Sequence, residues 1–218
     1  MKFGLKGVKG TASNHLKAWG IYDVVYRGVE YVHGTSAKGN EWQGMQVTFA
    51  GDAGTYSKTF FCPGEGAEER LSGESNGRKW ILPSNAEVFS CTLAHLGENL
   101  SPDKYKKFQE LEWDLPKDFE QLVAKFDEAL APAKNKATTL KLVANKKNYA
   151  DIPNFVSINS KGDAVINNNW VGKNVAFTDR ELIAKEKRAN EKPTEMSTAT
   201  GIDTTNNDID LDALNRDL

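Results

Sequence analysis

The segment 146–155, KKNYADIPNF, places two lysines just ahead of an aromatic residue in a polar stretch. Lysine side chains attract phosphates, and exposed aromatic rings stack on the bases of single-stranded nucleic acids. Lys146, Lys147 and Tyr149 are therefore the strongest candidates for nucleic-acid binding in this sequence. Phe155 is a weaker candidate, because it begins an apolar run and such a position is more typical of a core residue.

Four more candidates lie on predicted strands. Trp42 and Tyr56 are flanked by polar residues, so each is either a ring that stacks on a base or a half-buried ring on a twisted sheet. Arg27 and Lys58 are candidates for phosphate contacts, although basic residues are also common on the solvent side of a strand. The pattern leaves both interpretations open for all four.

The same residue types predict neither catalysis nor a metal centre. Cys91 and His95 have the i, i+4 spacing of metal ligands, and Cys62 could be a third ligand. The sequence has no C-x-x-C pair, however, which argues against a zinc site. Gly64–Gly66 lacks the third glycine of a dinucleotide fingerprint. No nucleophile, base and orienting group are recognisable together. We therefore expect a protein without enzymatic activity, cofactor or bound metal.

Charge is unevenly distributed along the 218 residues. The net charge is −2, yet residues 195–218 carry −5, so the rest of the chain carries +3. Lysines without neighbouring acids cluster at residues 1–20, which include the candidates Lys6 and Lys9, and at residues 129–150. A basic body joined to an acidic end is typical of nucleic-acid-binding proteins. Solvated lysines beside an incidental tail would give the same distribution.

The body that positions these residues is predicted to be rich in strands. Tyr, Val and Ile predict a long strand at 19–33 with a bulge at Gly28, and a GDAG turn joins the next two strands. Those strands and the later ones are expected at 41–50, 55–62, 137–144 and 155–158, with a hairpin at 163–177. The polar residues 63–79 predict a loop, and residues 80–97 fit a strand as well as a helix.

Helices are predicted between the third and fourth long strands and at the end of the body. Ser101-Pro102 is typical of a helix start, and residues 119–130 have an apolar stripe at helical spacing. Thr178 and Glu181 match a capping box, which predicts a final charged helix.

This element order is that of an OB-fold, a five-stranded antiparallel barrel with a helix between its third and fourth strands. We expect a mainly β fold with inserted helices, OB-like over 19–190, although other small β-barrels and α+β sandwiches have a similar order. Residues 1–18 are predicted to be a flexible basic arm, and residues 191–218 a flexible linker and a disordered acidic tip. The sequence shows neither an export signal nor a membrane span, so we expect a cytoplasmic protein.

The chain finishes with the segment NNDIDLDALNRDL, in which acidic and aliphatic residues nearly alternate. A basic, aromatic-rich body, a Thr/Asn-rich linker and such a tip resemble single-stranded DNA-binding proteins, particularly those of bacteriophages. The resemblance implies that the body protects single strands during DNA replication and recombination, while the tip recruits replication and repair proteins. The implied partner-binding residues are Asp208, Ile209, Asp210, Leu211, Asp212, Leu214, Asp217 and Leu218.

The resemblance is incomplete, because bacterial members commonly end in a proline-phenylalanine pair and this chain ends Asp217-Leu218. Two other classes remain open. A phage structural or assembly protein would use the β-rich body as a scaffold, and a zinc-dependent accessory protein would use Cys62, Cys91 and His95. The sequence does not define an oligomeric state.

Overall fold

The computed structural model describes residues 15–190 and has a mixed β and α architecture. The strands are β1 (Gly20–Thr35), β2 (Glu41–Gly51), β3 (Gly54–Phe61), β4 (Ser72–Ser75), β5 (Arg78–Ile81), β6 (Ala137–Ala144), β7 (Ala150–Asp151), β8 (Val156–Ile158), β9 (Ala164–Ile166) and β10 (Val171–Gly172). The helices are α1 (Asn85–Leu100), α2 (Pro102–Phe108), α3 (Phe119–Leu130) and α4 (Asp179–Asn190).

The largest sheet is antiparallel and strongly curled, so that it forms half of a barrel. Its strand order is β10-β6-β1-β2-β3, and β7 also pairs with β6. The long strand β1 has two partners, because Gly20–Val25 pairs with β6 whereas the part from Val25 onward pairs with β2. The register shifts between Tyr26 and Gly28, which confirms the predicted bulge. Gly28 has a φ of +145°, where a side chain would be strained.

Side chains join the two ends of this curled sheet. The described residues contain no backbone ladder between β3 and the strands next to β6, so a closed five-stranded barrel is absent from this part of the chain. Instead, the Tyr56 hydroxyl donates to Asp151 Oδ1 at 2.9 Å, and Lys58 Nζ lies 2.9 Å from Asp151 Oδ2. We call Tyr56, Lys58 and Asp151 the clasp.

The inner face of the sheet packs against α1 and α3, and α2 packs against these two helices. Buried apolar side chains alternate along β2 at Met45, Val47 and Phe49, as expected for a strand with one face in the core. The ring of Phe119 at the start of α3 lies 6.2 Å from Tyr31 and 5.7 Å from Phe89, measured between ring centroids. One continuous core therefore connects strands and helices.

Two capping boxes define helix starts. The predicted box at α4 is confirmed, since Thr178 N–H donates to Glu181 Oε2 at 2.7 Å and Glu181 N–H donates to Thr178 Oγ1 at 3.3 Å. A second box at α1 joins Ser84 and Glu87 in the same way. Each box satisfies backbone donors that a helix otherwise leaves without a partner.

Several local predictions are corrected or completed. The predicted loop 63–79 contains the strand β4 and the start of its hairpin with β5, and the undecided segment 80–97 forms α1 from Asn85 onward. The segment 163–177 does not form a hairpin of its own, because β9 pairs with β8 and β10 pairs with β6. In the part of the chain that the structure describes, the helices are too short or too polar to cross a membrane.

The basic arm predicted for residues 1–18 must be shortened. Leu16 is 3% exposed, and its N–H donates to the Thr55 carbonyl at 3.1 Å. Residues 15–18 therefore belong to the folded body, packed beside β3. The remainder of the arm lies outside the described residues.

Candidate nucleic-acid interface

The strongest predicted site is a tight turn between β6 and β7. The side-chain oxygen of Asn145 accepts hydrogen bonds from the N–H groups of Lys147 and Tyr149, both at 3.0 Å. Asn148 has a φ of +62°, a left-handed conformation that asparagine tolerates better than most residues. This turn, which we call the Tyr149 turn, leaves the tyrosine side chain 60% exposed. Lys146 and Lys147 are exposed beside it.

Arg188 of α4 fixes the Tyr149 turn from outside. Its guanidinium donates to the Asn145 carbonyl at 2.7 Å and to Asn148 Oδ1 at 2.6 Å. A planar guanidinium with two acceptors holds a defined orientation at a small further cost in side-chain entropy. The exposed ring of Tyr149 is thus supported by a turn with both internal and tertiary hydrogen bonds.

The helix that carries Arg188 is itself held by a buried ion pair. Lys141 of β6 is fully buried, and its ammonium donates to Glu181 Oε2 at 2.9 Å and to the Ala176 carbonyl at 2.7 Å. Glu181 Oε1 accepts a hydrogen bond from Asn168 at 3.1 Å. Lys141 therefore contributes to the core and not to the basic surface that the lysine cluster at 129–150 predicts.

Phe155 lies at the surface and not in the core. Its side chain is 40% exposed, and the guanidinium carbon of Arg180 lies 5.7 Å from its ring centroid. That distance is typical of a cation–π contact. Phe155 and Tyr149 thus flank β7 on the same connection after β6.

Tyr56 is buried and Lys58 is held in an ion pair, although the Lys58 side chain is 36% exposed. Tyr56 is 7% exposed, and both it and Lys58 bind Asp151 in the clasp. Burial, followed by the nearby Asp151 carboxylate, raises the pKa of Tyr56 well above its usual value. The polar neighbours of Tyr56 suggested an exposed ring, but in a strand they face the opposite side of the sheet. The burial of Tyr56 therefore argues against base stacking, whereas phosphate contact by Lys58 stays a prediction.

Trp42 lies on the outer face of the sheet at its far end. Its ring centroid is 5.5 Å from that of Phe61 in an edge-to-face arrangement, and Phe61 is 38% exposed. The pairing of Gly44 with Phe61 puts Phe61 on the side of Trp42. Phe61 is not predictable from the sequence, because the run FFC does not reveal which of its two rings faces outward.

A row of polar side chains follows β2 and β3 on the outer face from this aromatic pair. Gln46 donates to Thr59 at 3.4 Å, and the hydroxyls of Thr48 and Ser57 are 2.9 Å apart. Such neutral groups can hydrogen-bond a nucleic-acid backbone or base without adding charge. Arg27 is exposed near the bulge and donates to Asn135 Oδ1 at 2.7 Å. Within residues 15–190, Arg27 has no hydrogen bond or ion pair with another candidate residue.

This chain matches no family model, no curated protein and no solved structure. The functional argument therefore depends on the geometry of its own residues. Lys6, Lys9 and the tail candidates from Asp208 to Leu218 lie outside the described residues.

The cysteines and the histidine of the zinc alternative each make separate contacts. Cys91 Sγ donates to the Ala164 carbonyl at 3.3 Å, and burial raises the pKa of Cys62 to about 11. The His95 ring stacks 4.8 Å from Trp170, and burial followed by the Lys141 charge lowers the pKa of His95 to about 4. Residues 15–190 contain no group of three His, Cys, Asp or Glu side chains that could hold a metal ion.

Proposed function

We propose that this protein binds single-stranded DNA on the outer face of its curled sheet and protects it during replication and recombination. The observation that carries the proposal is the 60% exposed ring of Tyr149 on a turn fixed by Arg188. Leaving a large aromatic side chain in water on a fixed turn favours a ligand that can stack on it. The adjacent Lys146 and Lys147 supply positive charge for phosphates.

The topology supports an OB-like reading of the body. A three-stranded meander is followed by helices, and β6 then returns to pair with the first half of β1. OB-folds bind oligonucleotides on the face of their second and third strands and on the loops beside them. In this chain, that face carries Trp42, Phe61 and the polar row, and Asp151, two residues after Tyr149, contacts Tyr56 and Lys58 of β3.

The spacing of the aromatic groups is suited to several nucleotides. Tyr149 lies two residues before Asp151, which contacts Tyr56 near the start of β3, and Phe61 ends that strand. The five residue-to-residue steps from Tyr56 to Phe61 cover about 17 Å of strand. A single strand that contacts both aromatic groups would thus follow β3, consistent with the roughly 4–16 nucleotides that one OB-fold binds.

The acidic end gives the proposal its second part. Residues 195–218 carry a charge of −5 beside a body of +3, and the resemblance to phage single-stranded DNA-binding proteins makes this segment a recruiting peptide. We infer that it binds replication or repair proteins through Asp208–Leu218.

A titration of the full chain with oligonucleotides tests the proposal. Single-stranded DNA should bind more tightly than duplex DNA or single-stranded RNA of equal length in a gel-shift assay. The logarithm of affinity should fall with the logarithm of salt concentration by about 0.7 for each phosphate contacted. Equal affinity for duplex DNA, preference for RNA, or independence of salt would each refute it.

A further inference from the structure

The backbone of Trp19, which directly precedes β1, is strained. Its φ is +60°, a left-handed conformation that bulky side chains rarely adopt. Strained residues of this kind cluster at functional sites. In the described part of the chain, the other non-glycine residues with a positive φ are all asparagines, namely Asn76, Asn135, Asn148 and Asn174. An asparagine would fit the backbone at position 19 better, so the indole ring itself is the feature that requires a reason.

Tyr22 closes the turn that presents Trp19. Its hydroxyl donates to the Lys17 carbonyl at 2.8 Å. A Cβ atom added to Gly20 would clash with the Tyr22 ring, so this ring lies directly against bare backbone. Contacts on both sides of Trp19 therefore fix the turn, while the Trp19 side chain remains only half-buried and Lys17 is exposed.

A second half-buried ring, that of Phe177, lies beside Trp19. The two ring centroids are 6.5 Å apart, and the ring planes are inclined by 47°. Phe177 follows Ala176, whose carbonyl accepts the hydrogen bond from the buried Lys141. The ammonium of Lys185, an exposed residue of α4, lies 5.5 Å from the centroid of the Phe177 ring. The result is a fixed pair of aromatic rings with a positive charge beside it.

The helix α4 connects this aromatic pair to the Tyr149 turn. Lys185 contacts the ring of Phe177, and Arg188, three residues later, donates hydrogen bonds to the turn. Three residues of an α-helix rise by about 4.5 Å. Both aromatic sites therefore contact α4 within one helical turn of each other.

We propose that Trp19 is a second stacking site for the single strand that binds at the Tyr149 turn. This inference rests on the proposed function and extends it to the segment before β1. One base stacks on the indole ring beside Phe177, and the exposed Lys17 and Lys185 supply positive charge for the phosphates. Because every base has a face that can stack on an aromatic ring, the site binds without sequence preference.

Substitutions at Trp19 separate stacking from folding, because asparagine tolerates the left-handed backbone and has no aromatic ring. In the full chain, Trp19→Asn should weaken binding to an oligodeoxythymidylate of about 16 nucleotides roughly tenfold, without lowering the melting temperature. Trp19→Phe keeps a ring and should retain most of the affinity. Trp80→Asn, the same change at another half-buried tryptophan, should leave the affinity unchanged. Fluorescence anisotropy measures the affinities, and calorimetry measures the melting temperatures.

The indole N–H signal of Trp19 in the ¹⁵N-labelled wild-type chain gives a readout that does not depend on how any variant folds. Saturation with the oligonucleotide should shift this signal. If the signal does not move, or if Trp19→Asn binds with wild-type affinity while Tyr149→Ala binds more weakly, the inference is wrong and the proposed function stands. A lower melting temperature of Trp19→Asn with unchanged affinity would show that the ring only shields the Lys141 ammonium. If the wild-type chain does not bind the oligonucleotide, the proposed function and this inference both fail.

Discussion

The buried pair of Lys141 and Glu181 yields a prediction with a built-in control. Glu181→Gln removes the negative charge but keeps a side chain that can cap α4. The Lys141 ammonium, which is fully buried, would then retain only the Ala176 carbonyl and a neutral amide. Removing one partner of a buried ion pair typically costs about 3–5 kcal/mol of unfolding free energy. For a domain of this size, that loss lowers the melting temperature by about 6–20 °C.

An exposed pair of nearly equal length isolates the effect of burial. Lys125 and Glu128 on α3 are 2.8 Å apart, against 2.9 Å for Lys141 and Glu181, but their side chains are 45% and 66% exposed. Glu128→Gln should therefore cost less than about 1 kcal/mol, since water screens the pair. Urea denaturation of both single variants, followed by circular dichroism, measures the two costs under one set of conditions.

The double variant Lys141→Met/Glu181→Gln decides whether the cost arises from an uncompensated charge. If it does, removing the lysine as well should restore stability to near the wild-type value or above it. Because Glu181 also positions the helix that carries Arg188, Glu181→Gln alone should weaken single-stranded DNA binding through the Tyr149 turn. A cost of Glu181→Gln no larger than that of Glu128→Gln, or a double variant less stable than Glu181→Gln, would show that the reasoning is wrong.

Three other outcomes are expected. Tyr149→Ala should weaken single-stranded DNA binding by about 1–3 kcal/mol with little change in melting temperature. Tyr149→Phe keeps the ring and should bind with the wild-type affinity. A large loss of stability in Tyr149→Ala would contradict the stacking role. The pKa of His95 is lowered from 6.5 to about 4, so the unfolded chain binds more protons than the folded chain between these pH values. The free energy of unfolding should therefore fall as pH drops through this range, and it should fall less steeply in His95→Gln. Urea titrations at several pH values measure both slopes, and equal slopes would contradict this role of His95. Deletion of residues 203–218 should tighten DNA binding at low salt, because the acidic segment competes with phosphate for the same lysines. Weaker binding of the deletion variant at every salt concentration would exclude that competition.

Local patterns predicted the elements whose signals lie within a few residues. The bulge at Gly28 and the capping box of Thr178 and Glu181 form as the sequence indicates. Two comparable signals were available and missed. Ser84 and Glu87 are spaced as a capping box ahead of α1, and Asn76-Gly77 is the most favoured turn of a two-residue hairpin. The strands of that hairpin are mostly polar, and this pattern predicts a loop.

Contacts between distant residues explain what the sequence could not predict. Tyr56 and Lys58 both contact Asp151, which is more than 90 positions away. From its sequence neighbours, Lys141 is indistinguishable from a surface lysine, because its partner Glu181 lies 40 positions away along the chain. For the candidate site, the exposed Tyr149 was predictable from its neighbours, whereas the aromatic pair of Trp42 and Phe61 requires the register of β2 and β3.

The two-partner pairing of β1 also sets an order of events during synthesis. The last residue of β6 follows the last residue of β3 by 83 positions. At about 5–20 residues per second, the ribosome needs roughly 4–17 seconds to make that stretch. The β1–β2–β3 meander can pair early, but Gly20–Val24 has no strand partner until β6 emerges. A nascent chain that stalls before Ala137 therefore exposes an unpaired strand edge, the place where two such fragments would associate.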